Sequence, residues 1–335
     1  MGYVDLNCDK ISRILEENGS INDKRFMVNL DGLEKAGADV QFFACFVYGI
    51  YFDDKLTDKE RRLDNFLIDI HPGAWDKAYE HVLKMSACLD SELSDDLKLA
   101  RSYDDIVKNM NEGVISAVKT VEEGGVLAGD IKRLDALYNE GVRLITLTWN
   151  FRNCIGHPNS TVKELMDLGL TSFGQDVVGR MNELGMIIDV SHLSDGGFYE
   201  CINLSDKPIV ASHSDVRALC PHPRNLTDHM IRTLAEHGGV AGLNLCPEFI
   251  REDGQVCVDD LVKHVVYMMN KGGEDIVCLG TDFDGIRNPY RDNWINTVND
   301  MPLLFEALKK YGLSERQLDK FMYGNAMRVM KDNRI

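Results

Sequence analysis

Short apolar runs alternate along this chain with longer stretches in which apolar residues recur every three to four positions. The first pattern marks strands and the second marks amphipathic helices, so their alternation predicts a parallel α/β fold. Eight strands are expected: Tyr3–Asn7, Val40–Val47, Ile115–Val121, Arg143–Thr148, Met186–Val190, Pro208–Ser212, Gly239–Leu245 and Ile276–Thr281. The last reads Ile-Val-Cys-Leu-Gly, apolar throughout, as a strand covered on both faces should. The helices between them have legible ends. The stripe Ile131, Leu134, Leu137, Tyr138 stops at Gly141, and Phe173, Val177, Val178, Met181, Leu184 stops before Gly185. Both glycines suit a helix C-cap. A third stripe, Val258 to Met269, ends before Gly272-Gly273, and Ser314 with Gln317 makes a capping box ahead of Leu318, Phe321 and Met322. Roughly 65 residues between the second and third strands leave room for two or three extra helices. Eight strand–helix units predict one α/β domain over residues 1–335. It would be a (β/α)8 TIM-type barrel with a helical insertion between strands 2 and 3. A doubly wound open sheet is the alternative.

Composition narrows the function classes. The chain has 335 residues, 44% hydrophobic and 27% charged, the profile of a globular protein with a large core. Asp and Glu outnumber Lys and Arg by 54 to 37, a formal charge of −17. Such a field repels phosphate backbones and anionic lipid, so neither nucleic acid nor a membrane is expected as a partner. Nine cysteines are scattered without a CxxC pair, which predicts reduced thiols in a cytoplasmic protein. The first residues lack a basic and apolar leader, and the apolar stretch Val40–Phe52 is too short to span a bilayer. A soluble protein is expected.

Residue types that bind metals cluster at the C-terminal ends of the expected strands, where barrels carry their active sites. These are Asn7 and Asp9 after the first strand, placed on one face by a period of two; Glu122 and Glu123 after the third; His192 after the fifth; His213 after the sixth; and Asp282 and Asp284 after the eighth. Singly, each has an ordinary explanation as a cap or core hydrogen-bonder. Together, two histidines, carboxylates and an amide in one barrel mouth make a donor set for zinc or a similar metal. The Gly-rich run Gly124–Gly129 lacks a P-loop lysine and a dinucleotide fingerprint. His71, His81, His229, His237 and His264 are expected at the surface, while His157 and His222 lie in loops able to reach the mouth.

Several segments, in order, resemble the renal-type membrane dipeptidase family. They are Val121-Glu122-Glu123-Gly124 with Leu137-Tyr138-Asn139-Glu140-Gly141-Val142-Arg143; Ile188-Asp189-Val190-Ser191-His192; and Pro208 to Ser214, with the two histidines 21 residues apart. His222-Pro223-Arg224-Asn225-Leu226, Thr281-Asp282-Phe283-Asp284-Gly285 and Gly324-Asn325-Ala326-Met327-Arg328-Val329 complete the match. The resemblance implies a metal-dependent dipeptidase, tolerant of D-configured C-terminal residues, with two zinc ions per chain. Glu122 would bridge them, ahead of its neighbour Glu123. His192 and His213 would hold one metal, and Asp9 with the residue at position 7 the other. Arg224 would bind the substrate carboxylate, Asp282 would act as acid/base through a metal-activated hydroxide, and Asp284 would be a structural loop carboxylate. A small dipeptide-like substrate is the expected partner, with a homodimer left open.

Two departures stand out. Asn7 falls where the family carries His, which should weaken the metal site shared with Asp9, because a neutral amide oxygen is a poor zinc donor. Trp149 falls where the renal enzymes have a substrate-contacting histidine, and Asn150 or Asn153 would supply a polar contact instead. Lys10 is expected to be a solvated lysine at a loop start. The Asn7 departure keeps two alternatives open: a single-metal hydrolase of a non-dipeptide amide, and a catalytically silent ligand-binding barrel.

Overall fold

The structure is a computed structural model, and it describes residues 2–57, 70–286 and 290–335. Among the described residues nine parallel strands run β1 Tyr3–Cys8, β2 Ala38–Phe46, β3 Leu97–Leu99, β4 Ile115–Glu122, β5 Val142–Thr146, β6 Ile187–Asp189, β7 Val210–Ala211, β8 Val240–Leu243 and β9 Val277–Leu279. β1 pairs with both β2 and β9, and β2 pairs with β4, so eight strands close on themselves and the open-sheet alternative is excluded. All eight expected strands are present, several trimmed by one or two residues at each end. The ninth, β3, lay below the reach of periodicity at three residues. It pairs with Ile115–Ala117 of β4, while β5 pairs with the same strand from Lys119 onward.

Eight residues, one from each barrel strand, gather in a single apolar cluster: Val4, Val40, Val118, Leu144, Ile187, Val210, Val240 and Cys278. Side chains contributed by every strand can meet only in the lumen. Ala326, Met327, Val329 and Met330 of the helix Asn325–Asn333 pack against them and close one end. A second, larger cluster lies between strands and surrounding helices. The helices end as expected, at Ile131–Asn139, Ser172–Leu184 and Val258–Gly272, and the Ser314–Gln317 capping box is formed. The insertion after β2 contains the helices Pro72–Glu92 and Tyr103–Glu112; its residues 58–69 lie outside the described residues. Among the described residues no helix is long and apolar enough to cross a membrane, and all nine cysteines are free.

The lumen changes character toward the strand C-termini. Above the apolar layer, Asp5 accepts from Gln41 Nε2 at 2.9 Å and Thr281 Oγ1 at 2.7 Å. Thr146 Oγ1 and Ser212 Oγ both donate to Asp189 Oδ2 at 2.6 Å. Buried polar groups this well paired hold their neighbours in one arrangement. That layer is the floor of the candidate site.

Candidate metal centre

Parallel register sets the height of the site. Glu122, the last residue of β4, stands level with Phe46 on β2 and Thr146 on β5, and Thr146 with Asp189 on β6. His192 and His213 follow in the turns beyond β6 and β7. His192 is held at φ 66° and Asp282 at φ 60°, a left-handed conformation uncommon outside glycine that concentrates at functional sites. The side chains of Glu122, His192 and His213 are buried and converge. The two Nε2 atoms are 3.0 Å apart, and Glu122 Oε1 is 3.2 Å from that of His192 and 3.6 Å from that of His213. Donor atoms about 2.0–2.1 Å from one tetrahedral ion stand roughly 3.3 Å apart, so this spacing fits a metal.

The protons make the same case. Asp189 accepts four hydrogen bonds, from the backbone of Ser191 and Ser212 and from the Thr146 and Ser212 hydroxyls. Ser212 has therefore spent its proton, and its Oγ, 2.7 Å from His213 Nδ1, must accept from that ring nitrogen. His192 Nδ1 stands 3.0 Å from Asn150 Oδ1, an atom that can only accept. Both rings thus carry hydrogen on Nδ1 and aim bare Nε2 lone pairs at Glu122 Oε1. Burial, then the Arg224 charge, pushes both histidines well below their usual range, so protonation does not relieve the crowding. A proton on the raised Glu122 carboxyl bridges to only one ring and leaves the two Nε2 lone pairs 3.0 Å apart, whereas a cation satisfies all three donors at once. The donor set fits the implied metal.

The other face of Glu122 differs. Its Oε2 accepts from Asn7 Nδ2 at 3.3 Å, and the same amide helps hold Asp282 ionised. Asp9 lines the cavity with Oδ1 buried and unpartnered. Asp9 and Asp282 crowd together over Gly285, where a Cβ would strike both carboxylates. Burial pushes up the Asp9 carboxyl, as do the charges of Glu122 and Asp282. Burial also raises Glu122, reinforced by Asp282 and Asp189, and lifts Asp282 to about 6 against a hydrogen bond from Asn244 Nδ2 at 3.0 Å.

These groups open into a cavity of about 1110 Å³ lined also by Trp149, Asn150, His222, Arg224 and Asp284. Arg224 is buried, donating to the His213 carbonyl at 3.0 Å and Ser214 Oγ at 3.3 Å, with its Nε unpartnered. Asp284 accepts from the Met27 and Val28 backbone at 2.9 and 3.1 Å and ties a loop in place while facing the cavity. Glu123 turns away: it accepts from Gly125 N at 2.8 Å, from Trp149 N at 3.1 Å and from Asn153 Nδ2. Burial raises its carboxyl to about 7. Asn150, expected to touch substrate, lines the cavity but spends its carbonyl on His192; Asn153 is buried on Glu123.

Two expectations are corrected. Lys10 is buried, its Nζ 4.0 Å above the Phe26 ring and 3.4 Å from the Asp23 carbonyl; an aromatic face and a carbonyl stand in for water. Burial lowers its pKa to about 8. His264 is likewise buried, bonded to Val216 N at 3.2 Å and the Ile250 carbonyl at 3.1 Å. Its helix face turns inward against a loop whose backbone needs partners. His81 is half-buried on the cavity wall beside Phe52. Sequence reasoning missed Asn150, Ser212 and Asp189 as orienting groups and Asn244 as the partner of Asp282. Only Asp189 and Ser212 stood inside a recognised segment.

Comparison with known proteins points to a family and a fold. The family model described as membrane dipeptidase matches residues 1–334. An uncharacterised protein from the pqqA 5′ region of Klebsiella pneumoniae is 37% identical over 243 residues, covering 70% of this chain and 89% of that protein. A Claviceps purpurea protein named dipeptidase tcpJ is 30% identical over 240 residues, 71% of this chain. The match spans little more than half of that relative, 56%. A Rhodobacter sphaeroides metallopeptidase, solved with a phosphinate mimic of the dipeptide L-Ala-D-Ala, superposes with a TM-score of 0.84 at 24% identity over 99% of both chains. At that identity the likeness speaks to the fold.

Proposed function

The chain belongs to the membrane dipeptidase family, a family of metallo-dipeptidases, and from that premise we propose that it hydrolyses dipeptides with a free carboxylate in the barrel mouth. The observation that carries this reading is the meeting of three buried donor atoms, Glu122 Oε1, His192 Nε2 and His213 Nε2, beside a cavity that Arg224 also lines. Two nitrogens and a carboxylate oxygen suit zinc. Bound there, a zinc ion supplies Lewis acidity, polarising the scissile carbonyl and easing ionisation of water. Arg224 presents a planar fork to the substrate carboxylate. Asp282, raised to about 6 and steadied by Asn244, takes a proton from the attacking water and returns it to the leaving amine. Tolerance of D-configured C-terminal residues follows from the family resemblance rather than from a contact in this site.

The hydrogen bond from Asn7 to Glu122 favours a second reading of the stoichiometry. One metal is held tightly at the histidines, and a second is held weakly, beside Asp9. The functional test pairs metal content by mass spectrometry with a panel of free-acid and amidated dipeptides. The proposal expects free acids to be cleaved and amides to be poor substrates. Arg224→Ala should cost about 2–5 kcal/mol in kcat/KM, as expected for stranding one partner of a buried charge pair. Equal turnover of acids and amides removes Arg224 from this role, and no cleavage by metal-loaded protein ends the dipeptidase reading.

A further inference from the structure

The cavity that holds Arg224 is also lined by a block of packed rings that the chemistry above does not use. Trp149 meets Phe46 edge-on at 5.1 Å and Tyr48 at 4.7 Å, with Phe151 at 6.2 Å. Rings interlocked edge to face hold one another rigid. All four rings line the cavity, Phe151 buried and Phe46, Tyr48 and Trp149 half-buried. They offer a preformed apolar surface that is wet until something covers it. Their place relative to the metal ligands is defined. Trp149 rests 5.8 Å from His192, whereas Arg224 holds the His213 carbonyl at 3.0 Å. The rings thus border His192, and the guanidinium borders His213.

We infer that the face formed by Trp149, Phe46 and Tyr48 is a subsite for a large apolar side chain, aromatic above all, on the amino-terminal residue of the substrate. The inference rests on the dipeptidase reading. With the substrate carboxylate on Arg224 and its peptide carbonyl over the histidines, the amino-terminal residue falls on the Trp149 side. A cavity of about 1110 Å³ is large for a small-molecule site, typically about 300–1,000 Å³, so a bulky residue has room. Flat rings packed against an aromatic wall release more water than a methyl group does. A carboxylate side chain loses its hydration there and meets the negative faces of the rings without gaining a partner from them.

The test measures kcat/KM for X-Ala dipeptides with X as Phe, Leu, Ala and Asp on the metal-loaded protein, with calorimetric binding of each in parallel. Phe-Ala should exceed Ala-Ala by about 10-fold or more, the scale of discrimination by a hydrophobic pocket, and Asp-Ala should rank last. Trp149→Ala and, separately, Phe46→Ala should compress the Phe-to-Ala ratio toward unity, mainly through KM, while metal content holds. Should Trp149→Ala fail to fold, Phe46→Ala decides. Equal values for Phe-Ala and Ala-Ala in the parent, or an unchanged ratio in a folded, metal-holding variant, overturn the subsite while leaving the dipeptidase reading intact. If no dipeptide is cleaved, that reading fails and calorimetry decides. Tighter binding of Phe-Ala, lost in the variants, upholds the subsite, and equal binding overturns it.

Discussion

On one side of Glu122, Oε1 faces two imidazole nitrogens that carry no proton; on the other, Oε2 faces the Asn7 amide, which does. Both sides are made from strand ends and both are buried. The histidine side is acceptors throughout, with each ring's outer nitrogen fixed by Asn150 or by Ser212 and Asp189. The Asp9 side holds carboxylates, and the chain itself supplies hydrogens to Glu122 Oε2 through Asn7 and to Asp282 through Asn244. Geometry thus suits the first side to a cation, which alone satisfies all three donors at once. On the second, protein dipoles and raised carboxyl pKa values replace part of what a cation would do. A metal site is defined as much by where protons are excluded as by which residues are near.

Removing a ligand from each side should break the symmetry most visibly. His213→Ala should abolish tight metal binding and turnover together, a loss beyond the 10–100-fold typical of outer partners. Asp9→Ala should leave the first metal equivalent in place. Similar loss of the first equivalent in both variants, read by mass spectrometry of the native protein, would erase the distinction.

Asp282→Asn should lower turnover about 10²-fold with the histidine-side metal retained. It also separates the two sides by pH. Burial raises Asp282 to about 6 from an ordinary value near 3.8, so in metal-free protein its contribution to stability is full below that ordinary value. It is lost as pH rises through about 6. The asparagine variant lacks this loss, and its Tm should gain on the parent between pH 4 and pH 7. A constant Tm difference across that range would mean that Asp282 is ionised throughout.

A smaller effect tests the proton argument. Asn150→Ala frees His192 Nδ1 and its tautomer, and should weaken the histidine-side metal by about 10–100-fold without displacing it at saturating zinc. An unchanged affinity would show that packing alone, including Trp149 at 5.8 Å, sets the ring.

The sequence displayed the fold well because strand and helix periods are local properties. Glu122, His192 and His213 were legible because each ends a β-rich run, and parallel strands of a barrel deliver such ends to one mouth. The controls on those residues were not. Asn150 lies 42 residues from His192, and Asn244 lies 38 residues from Asp282 within an apolar strand end. Periodicity assigns a face but not the partner across the lumen. Lys10 and His264 were misplaced for a related reason: what buries them, the Phe26 ring and the Ile250 carbonyl, comes from other elements than their own helices. Asn7 was legible as a departure, yet only the structure shows its nitrogen facing Glu122.

The central claim is that the two sides of Glu122 bind metal unequally and that Asn7 is the cause. Titrating metal-free parent and Asn7→His with zinc, with stoichiometry read by native mass spectrometry, tests it most directly. The account predicts one tight equivalent in the parent and a second in the variant, gained on the Asp9 side. Two equally tight equivalents in the parent, or no gain in the variant, would contradict it.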